Sequence, residues 1–179
     1  DNIENWGYAN SDLNGDFDSL TNFTYCLWIH CFSHHTNYSQ TCFYKYAGTT
    51  TAVVRLYDFG NYNGNGAQAN NRFYANRGGS WGSISGNFTM NVGETAFICL
   101  QYDSENGGNL WKNGVKISTG TGSGTIATNT SSLGIITPEY GDEQYTRIQE
   151  AYVYTETLTD QQIINLYHST KMKYSNGGV

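Results

Sequence analysis

From Phe23 onward the chain alternates. Phe23, Tyr25, Leu27, Ile29 and Cys31 form one period-two row, while Cys26, Trp28 and Phe32 fall on the other. Two apolar rows on one segment predict a strand covered on both faces. Runs at Thr41 to Tyr46, Thr51 to Tyr57, Phe88 to Asn91, Ala96 to Tyr102, Asn109 to Trp111, Val115 to Ser118, Leu133 to Ile136 and Arg147 to Tyr154 read as further strands, and a short Arg72 to Tyr74 run interrupts the loop-like stretch between Asp58 and Gly79. The sharpest turn signal is Asn113-Gly114 between Trp111-Lys112 and Val115-Lys116, a two-residue hairpin. His34 to Gln40 lies between the first two strands and reads as a hairpin centred between Thr36 and Asn37. A single helix is signalled. Thr159 and Gln162 make a capping box, Leu158 can staple against Ile163, and Ile164, Leu166 and Tyr167 extend an apolar stripe. Asp1 to Leu20 is polar and holds at most one or two short edge strands, and Lys171 to Val179 reads as a polar tail or the start of a linker. The chain therefore predicts one domain over residues 1–170: an all-β, two-sheet antiparallel sandwich with one short C-terminal helix starting near Thr159.

Composition sharpens this. Among 179 residues there are 15 Tyr, 8 Phe, 4 Trp and 21 Gly but a single Pro, and charged residues make up 13%. Many short strands joined by Gly and Asn turns suit that mixture. The net charge of −6 with scattered basic residues excludes the clustered cations of a nucleic-acid partner. No apolar stretch approaches the ~20 residues that insert in a bilayer. Between Asp58 and Gly79, Asn61, Asn63, Gly64, Asn65, Gly66, Asn70 and Asn71 predict long loops at one rim of the sandwich, where binding residues collect on such scaffolds.

Several segments together resemble a family. Phe23-Thr24-Tyr25-Cys26-Leu27-Trp28-Ile29 is similar to an early strand of the laminin-G-like branch of concanavalin A-like lectins and glucanases, and Gln40 to Lys45 is similar to the strand after it. Phe97 to Asp103 followed by Leu110-Trp111-Lys112-Asn113-Gly114 resembles that branch's hairpin. Ile148 to Tyr154, Leu158-Thr159 and Ile163 to Tyr167 resemble its closing signature. The chain departs from it at Glu94-Thr95-Ala96, where the family often carries a Trp. The resemblance implies a concanavalin A-like jelly roll with ligand loops at the rim or a groove on the concave sheet. It does not imply one function, since this scaffold hosts lectins, adhesion modules, structural proteins and hydrolases.

Retaining glycosidases need two carboxylates ~5 Å apart, and the E-x-D-x-E pattern that supplies them on this fold is absent. The expected function is therefore an extracellular, non-catalytic binding module that recognises a glycan or glycoprotein. Sugars offer an apolar face and a polar edge, so aromatic platforms beside Asn and Asp are the candidate chemistry. Asp58, Asn61, Trp81, Tyr140 and Asp142 are the expected ligand residues, with Asp58 and Asp142 as candidate Ca2+ ligands because hard cations take loop oxygens. His34-His35 has no third ligand at metal spacing and reads as loop. The alternative is a self-assembling structural subunit of a cell-surface or virion coat or filament, motivated by low charge, abundant Tyr and Thr and a free sheet edge. Four sequons, the candidate glycosylation sites, begin at Asn22, Asn37, Asn87 and Asn129, a number that a chain so rich in Asn, Ser and Thr also supplies by chance.

Cysteines stand at 26, 31, 42 and 99. The hairpin reading sets Cys31 opposite Cys42, which predicts one bridge there and a second between Cys26 and Cys99, both off the rows assigned to the core. Four reduced thiols in an intracellular protein are the alternative.

Overall fold

The computed structural model describes residues 21–32, 39–47, 51–59, 72–77, 80–126, 133–137 and 146–174. These form ten strands and one helix: β1 (Asn22–Cys31), β2 (Ser39–Ala47), β3 (Thr51–Phe59), β4 (Arg72–Arg77), β5 (Ser80–Ser83), β6 (Thr95–Asp103), β7 (Gly107–Lys112), β8 (Val115–Thr121), β9 (Leu133–Thr137), β10 (Thr146–Tyr154) and α1 (Asp160–Tyr174). All pairings are antiparallel. One sheet runs β10-β1-β6-β7-β8 and the other β5-β4-β3-β2-β9. The sandwich and its late helix are as the sequence predicts.

β1 is covered on both faces. Its odd row, Phe23 to Cys31, joins Ala96, Ile98, Leu100 and Tyr102 of β6, Leu110 of β7 and Phe73 and Ala75 of β4 in the core between the sheets. Its even row carries Cys26 and Trp28 into a second cluster with Phe97, Cys99, Trp111, Leu158 and Ile163, on the outer face of the first sheet beneath α1. The capping box forms as expected: Thr159 N–H donates to Gln162 Oε1 at 2.8 Å and Gln162 N–H to Thr159 Oγ1 at 3.3 Å. Leu158 and Ile163 are buried together. The approach to the helix is tied to the sheet, since Thr24 Oγ1 donates to Glu156 C=O and accepts from Leu158 N–H, both at 2.9 Å. Gln101 Nε2 also donates to Leu158 C=O, which explains why Thr24 and Gln101 are polar yet buried.

The Asn113-Gly114 hairpin joins β7 to β8 with φ of 52° and 77°, the two positive angles of a type I′ turn. Gly114 is required twice there, because a Cβ would also stand 2.7 Å from Tyr167 Cδ1 on the helix.

Four expectations need correction. β1 and β2 lie in different sheets, so 33–38 joins the two layers and the hairpin that set Cys31 opposite Cys42 does not exist; β10 and β6 flank β1 instead. Phe88 to Asn91 is no strand, although Phe88 and Met90 are buried. β4 lies within the stretch read as loops, and β5 is a strand that Ser80-Trp81-Gly82-Ser83 did not announce. The helix passes the boundary expected at 170 and ends at Tyr174.

Candidate functional site

Register arranges the outer face of the first sheet in rows. Tyr154, Thr24, Gln101 and Asn109 form the first, then Tyr152, Cys26, Cys99 and Trp111, then Glu150, Trp28 and Phe97. Helix α1 covers much of these three, so a groove on this face is largely filled by the protein's own chain. At its C-terminal end Tyr174 Oη donates to Glu150 Oε2 at 2.6 Å and Lys173 Nζ to Glu150 Oε1 at 3.1 Å. Partial burial opposes ionisation of Glu150, but hydrogen bonds from Tyr152, Tyr174 and Lys173 and the Lys173 charge outweigh it and hold the carboxyl below its ordinary range. Burial, then the hydrogen bond to Glu150 and its charge, push Tyr174 up to about 12. Because the folded form depresses this carboxyl, its contribution to stability is present above the ordinary value near 4.5 and is lost as pH falls through the folded value. Acid titration of unfolding midpoints should show that loss in the wild type and a flatter profile in Glu150→Gln; parallel profiles would show that Glu150 does not anchor the helix end.

Beyond the helix lies a fourth row. His30 of β1 pairs in register with Arg147 of β10 and Thr95 of β6. His30 Nδ1 and Thr95 Oγ1 are 2.7 Å apart. Phe32, just past the end of β1, is 45% exposed. The His30 ring meets it edge-on at 4.5 Å and the Arg147 guanidinium carbon lies 5.4 Å from its centroid, within cation–π range. Beside them, the turn Asn91 to Glu94 is fixed to the end of β1: Cys31 N–H donates to Glu94 C=O at 2.9 Å and Gly93 N–H to Cys31 C=O at 2.7 Å. That turn presents Val92, 58% exposed. Glu94 is engaged by Lys112 at 2.7 Å and by Asn91 N–H. Among the described residues, Arg147 makes no ion pair with a carboxylate. An exposed aromatic flanked by a guanidinium, an imidazole and a hydroxyl can stack on an apolar ring face while the guanidinium holds an anionic group by parallel hydrogen bonds.

Strand ends place one of the expected ligand residues, Asp58, by this rim. β1 leaves it through 33–38 toward Ser39, whose neighbour Gln40 pairs with Asp58, while Thr137 pairs with Thr41 and 138–145 leads back to Thr146 opposite Cys31. Asp58 is thus on the strand end that faces this connection. Tyr140 and Asp142, within 138–145, and Asn61 lie outside the described residues. Trp81 is not brought to Asp58: it pairs with Asn76, about five residues or roughly 16 Å further along the sheet. The described residues contain no cluster of three His, Cys, Asp or Glu able to hold a metal ion, and His34 and His35 lie outside them. Of the sequons, Asn22 and Asn87 are exposed, whereas Asn37 and Asn129 are outside the described residues. No described helix is long and apolar enough to cross a membrane. His30, Phe32 and Arg147 escaped the sequence reading because each looks like an ordinary strand residue; the one local signal was the aromatic and His positions closing the even row of β1.

A two-layer antiparallel jelly roll, with its last strand paired to β1 and a helix on one outer face, defines the class. The chain belongs to the concanavalin A-like lectin/glucanases superfamily, whose laminin G model matches residues 5–164. Curated proteins provide no sequence match. Solved structures similar in fold include botulinum neurotoxin type C, whose cell entry is dependent upon interaction with two ganglioside molecules: TM-score 0.60, 18% identity, 89% of this chain and 38% of that one. The binding domain of botulinum neurotoxin DC is similar in complex with SialylT (TM-score 0.59, 15% identity, 89% of this chain, 37% of that one) and with rat synaptotagmin II (TM-score 0.56, 15% identity, 88% and 37%). The chain thus spans less than two fifths of each, and the likeness establishes the fold.

Proposed function

We propose that this protein is an extracellular, non-catalytic binding module that recognises a glycan bearing an acidic sugar. The observation that carries the reading is the Phe32–Arg147–His30 rim, where an exposed ring for sugar C–H groups stands beside a guanidinium for a carboxylate. The fold relatives named with ganglioside, SialylT and synaptotagmin support a recognition role over a catalytic one. Glu150 is engaged by Tyr152, Tyr174 and Lys173, which favours an anchoring role for the acid of the last strand. Tyr140, Asp142, Asn61 and Asp58 belong to this reading as further ligand residues, with Asp58 and Asp142 holding Ca2+ if binding depends on it. A glycan array run with calcium and with chelator tests both parts. Selective signal should fall about tenfold or more in Phe32→Ala and Arg147→Ala, with unfolding midpoints near that of the wild type because both residues are exposed. Absence of selective glycan binding would remove the reading.

One observation favours self-assembly as a second reading. β8 closes the order of its sheet at one edge, and Val115 and Ile117 on it are 62% and 42% exposed. Size-exclusion chromatography separates the two: a monomer that binds sugar supports the first, and a concentration-dependent polymer lost on Ile117→Lys supports the second.

A further inference from the structure

Cys26 of β1 stands opposite Cys99 of β6 in the middle of the first sheet. Main-chain bonds at both ends of this ladder, Cys31 N–H to Glu94 C=O and Ser104 N–H to Thr21 C=O, use odd residues on the β1 side. Hydrogen-bonded and non-hydrogen-bonded pairs alternate along an antiparallel ladder, so the even residue Cys26 falls in a non-hydrogen-bonded pair. β6 gives the same answer independently. Asn113 N–H donates to Phe97 C=O and Phe97 N–H to Asn113 Oδ1, so odd residues of β6 direct their main chain at β7, away from β1. A pair of this kind brings Cα atoms to ~4.5 Å, inside the ~4.4–6.8 Å that a disulfide accepts. The two Sγ atoms are 2.6 Å apart. Both residues have no exposure and lie with Trp28, Phe97, Trp111, Leu158 and Ile163 beneath α1.

We infer that Cys26 and Cys99 form a cross-strand disulfide site sealed by helix α1, oxidised before the helix docks and shielded from reductant afterwards. Two S–H bonds are lost and one S–S bond forms. The two electrons reduce an external disulfide of the glutathione class to two thiols, which take up the two protons. Docking opposes this exchange from the reduced state, because burial and then the Cys26 contact raise the Cys99 thiol well above its ordinary value and so withhold the attacking thiolate. The inference is independent of the ligand proposed above.

The full chain, refolded in a glutathione redox buffer, is unfolded in iodoacetamide without reductant and digested. A peptide pair joined through Cys26 and Cys99 is expected; alkylation of either residue, or its linkage to Cys31 or Cys42, would overturn the site. From the reduced folded protein, oxidised glutathione should form the bond about tenfold faster in Ile163→Ala, whose helix anchor is truncated, than in the wild type. Equal rates would overturn the sealing by α1.

Discussion

Replacing Trp28 with alanine should destabilise the protein by about 3–5 kcal/mol, the range for truncating a fully packed Trp. Trp28 is 3% exposed and joins the sheet to the helix by two kinds of contact. Its ring lies against Phe97, Tyr167 and Tyr174, with centroids 5.4, 6.0 and 4.8 Å away. Its indole Nε1–H donates at 2.9 Å to Thr170 Oγ1, which in turn donates to Leu166 C=O at 2.7 Å. Alanine opens a cavity between layers and removes the donor to a buried hydroxyl. Thr170→Val, which deletes only the hydroxyl partner, should cost ~1–3 kcal/mol by leaving the indole N–H unpaired. Trp111 supplies the contrast. It is equally buried on the same face, but its Nε1–H has no hydrogen-bond partner among the described residues, so Trp111→Phe should cost less than Trp28→Phe. Urea unfolding of these four variants checks the order, and a Trp28→Ala loss below ~1 kcal/mol would show that the helix is not held through this residue.

The local grammar of the sequence reached as far as local physics does. The double row of β1, the Thr159–Gln162 capping box and the Asn113-Gly114 turn are each set by neighbours a few residues apart, and all three are present. Alternation alone does not tell whether two successive strands pair or pass into opposite layers. That is why the hairpin expected between β1 and β2 is absent, while Cys26 and Cys99, which rest on the facing of rows in β1 and β6, stand opposite each other. Phe88 and Met90 alternate like a strand because a crossing segment also buries every second residue. The helix runs past 170 although Lys171 and Lys173 look like tail, because Lys173 and Tyr174 close on Glu150.

The rim was hidden for a related reason. Its parts come from His30, Phe32, Thr95 and Arg147, and they meet only because β10 and β6 take their registers on either side of β1. A loop rich in Asn and Gly advertises itself, but the last residue of a strand does not. Helix α1 adds a constraint absent from composition: it fills the outer face of the first sheet up to Trp28 and leaves the His30 row uncovered at the end from which 33–38 and 138–145 depart.

Gly108→Ala should cost about 3 kcal/mol, at the upper end for overpacking, because the atom it would strike is main chain and has nowhere to go. A Cβ on Gly108 would lie 1.7 Å from the carbonyl oxygen of Ile84 and 3.0 Å from Leu100 Cδ1. Ile84 is held there by its N–H, which donates to Phe73 C=O in the second sheet at 2.9 Å, while Ser85 Oγ accepts from Phe73 N–H at 2.9 Å and Gly86 N–H donates to Ser118 Oγ on β8 at 2.9 Å. Ser83 to Gly86 is therefore a strap that joins the two sheets on the side away from β10, and it approaches β7 closely only where β7 has no side chain. Gly122 repeats the device, since a Cβ there would stand 2.3 Å from Ser83 C=O. Gly93 is the control: its φ of +82° resembles that of Gly122, but its surroundings are open, so Gly93→Ala should cost only the ~1–2 kcal/mol of a left-handed alanine. Urea unfolding of the two variants measures the difference. If Gly108→Ala is no worse than Gly93→Ala, the strap does not cross β7 at Gly108, and the close packing of Ile84, Phe73 and Leu100 in the core would have to be achieved by another path of the chain.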